Sequence, residues 1–162
     1  MNWDAIGALA EMLGAIGVIG SLVYVAMQVR ASTAASRVES KLRLTETLVN
    51  YGDLLISSPE LNDLMIRGRK NIESLSKDEY MQFSNMALKA SWYISAGFFM
   101  YKENAISDDD WFEIKVIAKY WCYSPGFRQW WKHRGHLSFT GEFTKFIEGQ
   151  MEEALKASRQ DH

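Results

Sequence analysis

The stretch GALAEMLGAIGVIGSLVYVAM, residues 7–27, decides the fold of this chain. It lies within a 23-residue run from Ala5 to Met27 whose only charged residue is Glu11. A helix of that length extends about 35 Å, and the hydrocarbon core of a bilayer is roughly 30 Å thick. The run therefore predicts a transmembrane helix.

The residues around the run predict how it is oriented. Trp3 suits one membrane interface and Tyr24 the other. Arg30 is the first of four basic residues that follow the span within a short distance, and no Lys or Arg precedes it. Because basic residues favour the cytoplasmic side, we expect the N-terminus outside and the C-terminal bulk in the cytoplasm. Met-Asn-Trp-Asp at the start argues against a cleaved signal peptide, and the remaining alternative is a buried core helix.

Small residues follow one face of this predicted helix. Successive residues turn by about 100°, which places on one stripe Gly7, Ala10, Gly14, Gly17 and Ser21. The opposite face is bulky, with Leu9, Met12, Ile16, Ile19 and Val23. Small side chains let helix backbones approach each other in membranes. Since the sequence offers one span, the stripe predicts contact with another chain, most simply a second copy. The alternative is that Gly is generally common in membrane helices.

Glu11 lies at the edge of the stripe, about 60° from Gly14 around the helix. An ionised carboxylate in the hydrocarbon core is unfavourable by a few kcal/mol on insertion scales. Three interpretations stay open: the side chain snorkels to the outer surface, it hydrogen-bonds across a helix interface, or it serves an ion or proton conduit.

The rest of the chain predicts an all-α protein. No strand-like alternation occurs, and apolar residues keep helical spacing from Ala31 to Ser57. We therefore expect the transmembrane helix to continue into a long helix, followed by a compact antiparallel helical bundle. The expected division is a transmembrane anchor over residues 1–30, a cytoplasmic helical domain over 31–158 and a frayed tail over 159–162.

Capping signals predict where the later helices begin. They are Ser58-Pro59, the capping box Ser76-Lys-Asp-Glu79, Ser107 with three following aspartates, and Ser124-Pro125. The helix after Pro59 is expected to end near Gly68, and the last helix to cover about Ser138–Ala157.

No pattern of residues predicts catalysis. The net charge of −2 gives no case for nucleic acid, and a single cysteine, Cys122, excludes an intramolecular disulfide. His133 and His136 have a spacing that suits a metal pair, but further ligands are lacking. Asp108–Asp110 is interpreted as helix capping, and Arg67–Lys70 as a solvated helix end or a contact with anionic lipid or a partner. We expect no cofactor and no metal, and the sequence identifies no small-molecule substrate.

Most of the aromatic residues between 111 and 131 are expected in the core, because a small domain needs their volume. The alternative is that a Trp of the segment PGFRQWW is exposed for a partner or for lipid.

Several segments together resemble one family. They are WDAIGALAEMLGAIGVIGSLVYVAMQVR, SPELNDL, YKENAISDDDW, SPGFRQWW and a final F-x-x-E-F-x-x-F. The chain resembles, over nearly its whole length, an uncharacterised family of small bacterial inner-membrane proteins. The resemblance implies one N-terminal transmembrane helix and an α-helical cytoplasmic domain, and it implies no activity.

These observations predict a membrane-anchored structural or interaction protein. It would self-associate through the small-residue face and present a cytoplasmic helical domain, with the lipid bilayer and further copies of itself as partners. The alternative is an oligomeric ion or proton conduit or sensor that uses Glu11. An enzyme ranks last, for want of a nucleophile, a base or a metal set.

Overall fold

A computed structural model describes residues 3–160 of the protein, and within them the side chains other than those of residues 3–6, 8–10, 54–55 and 159–160. Within that range it contains no strand, so the all-α prediction is confirmed. The helices are α1 (Trp3–Ser57), α2 (Pro59–Lys70), α3 (Lys77–Lys102), α4 (Asp108–Cys122), α5 (Pro125–His133) and α6 (Gly141–Gln160). Short 3₁₀ helices cover Ile72–Ser74 and Gly135–Ser138.

The chain divides into two compact units, Met1–Glu39 and Ser40–His162. The first unit contains the apolar part of α1, and the second contains the end of α1 and every later helix. The predicted boundary between residues 30 and 31 marks the end of the expected membrane span, and the division into compact units does not test it. Residues 161–162 of the predicted frayed tail lie outside the described residues, whereas residues 159–160 belong to α6.

Local capping explains why three helices begin where the sequence predicts. Ser58 accepts a hydrogen bond from the Leu61 amide, with Pro59 at the first helical position. Ser76 and Glu79 form a complete capping box at the start of α3. Ser107 does the same with Asp110 at the start of α4.

The last helix begins later than predicted, at Gly141 rather than near Ser138. The chain first makes the 3₁₀ turn Gly135–Ser138. A Cβ at Gly135 would lie 2.7 Å from the Trp130 ring and 2.8 Å from the Trp131 ring, so only glycine fits at that point. Packing against the two indoles therefore fixes this turn and delays the helix.

Helix α2 continues past Gly68 to Lys70, whereas the sequence predicted an end near Gly68. Gly68 is buried inside the helix, where a Cβ would overlap the Phe83 ring. The glycine is thus a packing site, and Asn71 in an extended conformation ends the helix.

Most of the aromatic residues between 111 and 131 lie in the core of the second unit, as predicted, whereas Phe112, Tyr120 and Tyr123 are exposed. In the segment PGFRQWW, Phe127, Trp130 and Trp131 are all buried. The Trp130 indole N–H donates to the buried Ser84 hydroxyl at 2.8 Å, which satisfies both polar groups away from water. The fully buried side chains of largest volume include Trp130, Trp131, Phe83, Phe127, Phe143, Ile94 and Ile147.

Candidate functional site

The candidate site is the small-residue face of α1, defined by residues 7, 10, 14, 17 and 21. Since α1 is helical throughout this region, its backbone keeps these positions on one stripe. Gly7, Gly14, Gly17 and Ser21 are exposed, while the side chain of Ala10 lies outside the described residues. A Cβ added at any of the three glycines would meet nothing within 4 Å.

Four glycines of the second unit, Gly68, Gly97, Gly126 and Gly135, behave in the opposite way. A Cβ on Gly126 would overlap the carbonyl oxygen of Gly68, because α5 crosses α2 at these two residues. A Cβ on Gly97 would overlap the Ile114 side chain. These glycines therefore allow close contact between elements of the same chain. Gly52, Gly141 and Gly149 of the same unit meet nothing within 4 Å, as do the glycines of the small-residue face.

The remaining residues predicted for the membrane region are exposed where they are described. Glu11 and Arg30 are both exposed on α1. The Tyr24 hydroxyl is exposed and accepts a hydrogen bond from the Gln28 amide at 2.7 Å. Ser21 donates to the Val18 carbonyl at 2.7 Å, so its hydroxyl is satisfied within the helix. The side chain of Trp3 lies outside the described residues.

The apolar part of α1 is exposed on every side. Eleven large hydrophobic side chains between Met12 and Val29 are 55–67% exposed. The stretch Glu11–Asp53 contains an 18-residue window of mean hydropathy 1.9, none of it buried. By length and composition, α1 is able to cross a membrane. A buried core helix would have most of its side chains covered by the rest of the chain, whereas none of the described side chains in this window is buried.

The single cysteine lies in the core of the second unit. Cys122 is fully buried, and its thiol points to the Ile147 carbonyl oxygen at 3.9 Å. Burial raises the pKa of Cys122 to about 12, whereas a nucleophilic cysteine needs a lowered pKa.

The histidine pair shows no ligand geometry. His133 is exposed at the end of α5, while a ring nitrogen of His136 lies 2.9 Å from the Trp131 carbonyl oxygen. No group of three or more His, Cys, Asp or Glu side chains among the described residues is arranged to hold a metal ion.

The basic run Arg67–Lys70 is largely engaged in structural contacts. Arg67 binds Asp63 at 2.7 Å and Glu79 at 2.6 Å. The hydrogen bond from Arg67 lowers the pKa of Glu79 to about 2. Arg69 stacks 3.5 Å above the Tyr120 ring and donates to the Tyr120 carbonyl oxygen at 2.8 Å. Of this run, Lys70 is the exposed cation for which the interpretation as a lipid contact stays open.

Sequence reasoning missed a groove in the second unit, between the end of α1 and the helix α3. We call it the α1–α3 groove, and its volume is about 520 Å³. It is lined by Leu44, Thr47, Asn85, Leu88, Lys89, Trp92, Tyr93 and Ala96. A smaller enclosed cavity of about 40 Å³ shares Thr47, Lys89 and Tyr93 with it.

The groove is bounded by contacts that attach residues 41–51 of α1 to α3 and α4. Lys41 pairs with Asp110 at 2.5 Å, and the Lys41 ammonium lowers the pKa of that carboxyl. Leu44 and Tyr51 pack against the core. These contacts depend on residues far apart in the sequence, so helical periodicity alone gave no signal for the groove.

Comparisons of this chain with protein-family models, with curated proteins and with solved structures find no match. The resemblance to small bacterial inner-membrane proteins therefore stays a prediction.

Proposed function

We propose that this protein is a single-pass membrane protein of the bacterial inner membrane, with its N-terminus outside and its helical domain in the cytoplasm. Copies associate through the small-residue face of α1. The observation that carries the proposal is that every described apolar side chain from Met12 to Val29 is exposed. The resemblance supports the inner membrane, and the four basic residues after the span support the orientation.

Energetics favours a lipid environment for this segment. Leaving a large apolar side chain in water rather than burying it is unfavourable by about 1.5–3 kcal/mol. Eleven such side chains are exposed between Met12 and Val29, and soluble monomers rarely expose an apolar surface of that extent. A bilayer covers all sides of a helix at once, which suits a helix with exposed apolar side chains on every side.

Self-association is supported by the glycines of the small-residue face. Each Gly in a helix interior is unfavourable by about 1 kcal/mol relative to Ala. Elsewhere in the chain, at Gly68 and Gly126, such a residue gains a close backbone contact. At Gly14 and Gly17 no described residue of the same chain lies within 4 Å of a Cβ, so a neighbouring chain is the partner that we propose for the same gain.

The helices after α1 form the domain that we place in the cytoplasm. Short connections between α2 and α6 support an antiparallel bundle for the cytoplasmic domain. This domain is then what the assembled anchor presents to cytoplasmic partners.

Orientation is tested with a membrane-impermeant maleimide on cells that express the full chain. A cysteine at Asn2 should react in intact cells, and one at Lys156 only after the membrane is permeabilised. Background labelling should be low, because the native Cys122 is buried. The reverse pattern, or loss of the protein from the membrane fraction after alkaline carbonate washing, contradicts the proposal.

Association is tested by native mass spectrometry of the full chain in detergent. Gly14→Leu should lower the copy number, because a large side chain separates the helices. Gly20→Leu is a matched control, since Gly20 lies about 100° from the centre of the small-residue face and its Cβ also meets nothing. A monomeric wild type, or equal effects of both variants, contradicts self-association through this face.

The conduit is the second candidate, because Glu11 lies at the edge of the same face and is exposed. In an assembly, several carboxylates would then come close to one another. Proteoliposomes should show cation or proton flux that Glu11→Gln abolishes. Equal flux in wild type, variant and empty liposomes removes this candidate.

A further inference from the structure

We infer that the α1–α3 groove binds a free long-chain fatty acid, with its carboxylate at Lys89 and its acyl chain along the apolar wall. This site lies in the second unit and is separate from the small-residue face. The inference does not depend on self-association.

The length of the groove suits part of an extended acyl chain, the part nearest the carboxylate. Its wall on α3 is formed by positions 85, 88, 89, 92, 93 and 96, which share one helical face. These eleven residue steps correspond to about 16 Å along the helix axis. A volume of about 520 Å³ falls within the roughly 300–1,000 Å³ of small-molecule sites.

The chemistry of the wall is that of a lipid tail site. Five of the eight lining side chains are apolar or aromatic: Leu44, Leu88, Trp92, Tyr93 and Ala96. Trp92 is 58% exposed, which is unusual for the largest apolar side chain. A ligand that covers this indole gains burial without any rearrangement of the core.

The charge at the groove selects an anion with one negative charge. Lys89 is the only charged residue that lines either the groove or the adjoining cavity, and none of the lining residues is acidic. Its ammonium lies 5.8 Å from the centre of the Tyr51 ring and forms no ion pair among the described residues. A carboxylate balances one lysine, whereas a phosphate monoester carries about −1.5 to −2 charges.

Polar groups beside Lys89 suit a carboxylate as well. Asn85 carries an exposed amide that can donate to the head group. The Tyr51 hydroxyl is buried at the enclosed cavity and has no partner among the described residues. A buried hydroxyl without a hydrogen bond is unfavourable by about 1–3 kcal/mol. A carboxylate oxygen that enters the cavity beside Lys89 would remove this penalty, because it can accept a hydrogen bond from the Tyr51 hydroxyl.

The test measures binding of 9,10-dibromostearic acid to the full chain in amphipol, because bromine quenches nearby tryptophan fluorescence. We expect saturable quenching that largely disappears in Trp92→Phe. Dibromostearyl alcohol and a dibrominated lysophosphatidic acid serve as neutral and phosphate-headed probes of the same tail. Both should bind more weakly than the acid, and equal or tighter binding of either overturns the assignment of a fatty acid.

Two variants test the residues, and one serves as a control. Lys89→Gln should weaken binding of the acid by roughly three- to fivefold, as expected for a partly solvated ion pair, and leave the alcohol unchanged. Ala96→Phe should abolish saturable quenching because the ring fills the groove from the exposed face of α3. Lys77→Gln removes an exposed lysine from the same helix and should change nothing.

Circular dichroism separates a blocked site from a misfolded variant. If Ala96→Phe loses helicity, the affinity of Lys89→Gln for the acid alone tests the inference. Lys89 is exposed, so its replacement leaves the core intact. Undiminished quenching in a folded Ala96→Phe, or equal affinity of the acid for wild type, Lys89→Gln and Lys77→Gln, overturns the inference.

Discussion

At the scale of single residues, two groups of glycines in this chain have different surroundings. Gly68, Gly97, Gly126 and Gly135 each occupy a point where a Cβ would collide with a neighbour in the same chain. The glycines of the small-residue face have open space around them. The same residue type therefore indicates an internal contact in one unit and, we propose, an external contact in the other.

The crossing of α2 and α5 gives a direct test of the first purpose. Gly126→Ala places a methyl group against the Gly68 carbonyl oxygen, which backbone atoms cannot easily avoid. We expect a loss of about 1–3 kcal/mol in the free energy of unfolding, measured by urea denaturation of the full chain. Gly149→Ala is the control, because its Cβ meets nothing in the middle of α6. It should stabilise by about 0.5–1 kcal/mol, and equal effects of the two variants would refute the packing role.

Cys122 gives a second prediction at this scale. Burial raises the pKa of its thiol to about 12, so almost no thiolate exists at pH 8. Ellman's reagent should therefore leave the native protein unmodified over hours and react with one thiol per chain in urea. Rapid modification of the folded protein would show that the thiol is accessible.

At the scale of helices, the starts that depend on neighbouring residues were predictable. Ser58-Pro59, Ser76–Glu79 and Ser107–Asp110 each cap a helix with side chains at most three residues apart. The start of α6 was misjudged, because the chain first makes the 3₁₀ turn Gly135–Ser138, in which Gly135 packs against the indoles of Trp130 and Trp131. The end of α2 was misjudged for a similar reason, since Gly68 packs on Phe83 and does not break the helix.

The contact between α2 and α3 predicts how stability changes with pH. The hydrogen bond from Arg67 lowers the pKa of Glu79 from 4.5 to about 2. A carboxyl whose pKa is lower in the folded state stabilises the fold fully above pH 4.5, and this contribution is lost as the pH falls to 2. Glu79→Gln keeps a capping-box residue and removes the charge. The variant should unfold at lower urea than wild type at pH 7, with a difference that shrinks between pH 4.5 and 2, and a constant difference would contradict the ion pair.

At the scale of the whole molecule, the sequence predicted the helical class and the apolar segment but not the α1–α3 groove. Composition alone identifies a helix that is able to cross a membrane, because the signal lies in consecutive residues. The groove joins Leu44 and Thr47 to a face of α3 about forty residues later. Periodicity predicts that each of these faces is apolar, but it does not predict that they leave a space between them.

The central claim is that chains meet through the small-residue face of α1. The most direct measurement is a cysteine scan over residues 7–23 in native membranes, in which oxidation joins helices wherever two introduced thiols come close. Cross-linking should peak at positions 7, 10, 14, 17 and 21 and fall at 9, 12, 16, 19 and 23, with little background from the buried Cys122. A flat profile, or peaks on the bulky face, would contradict the claim.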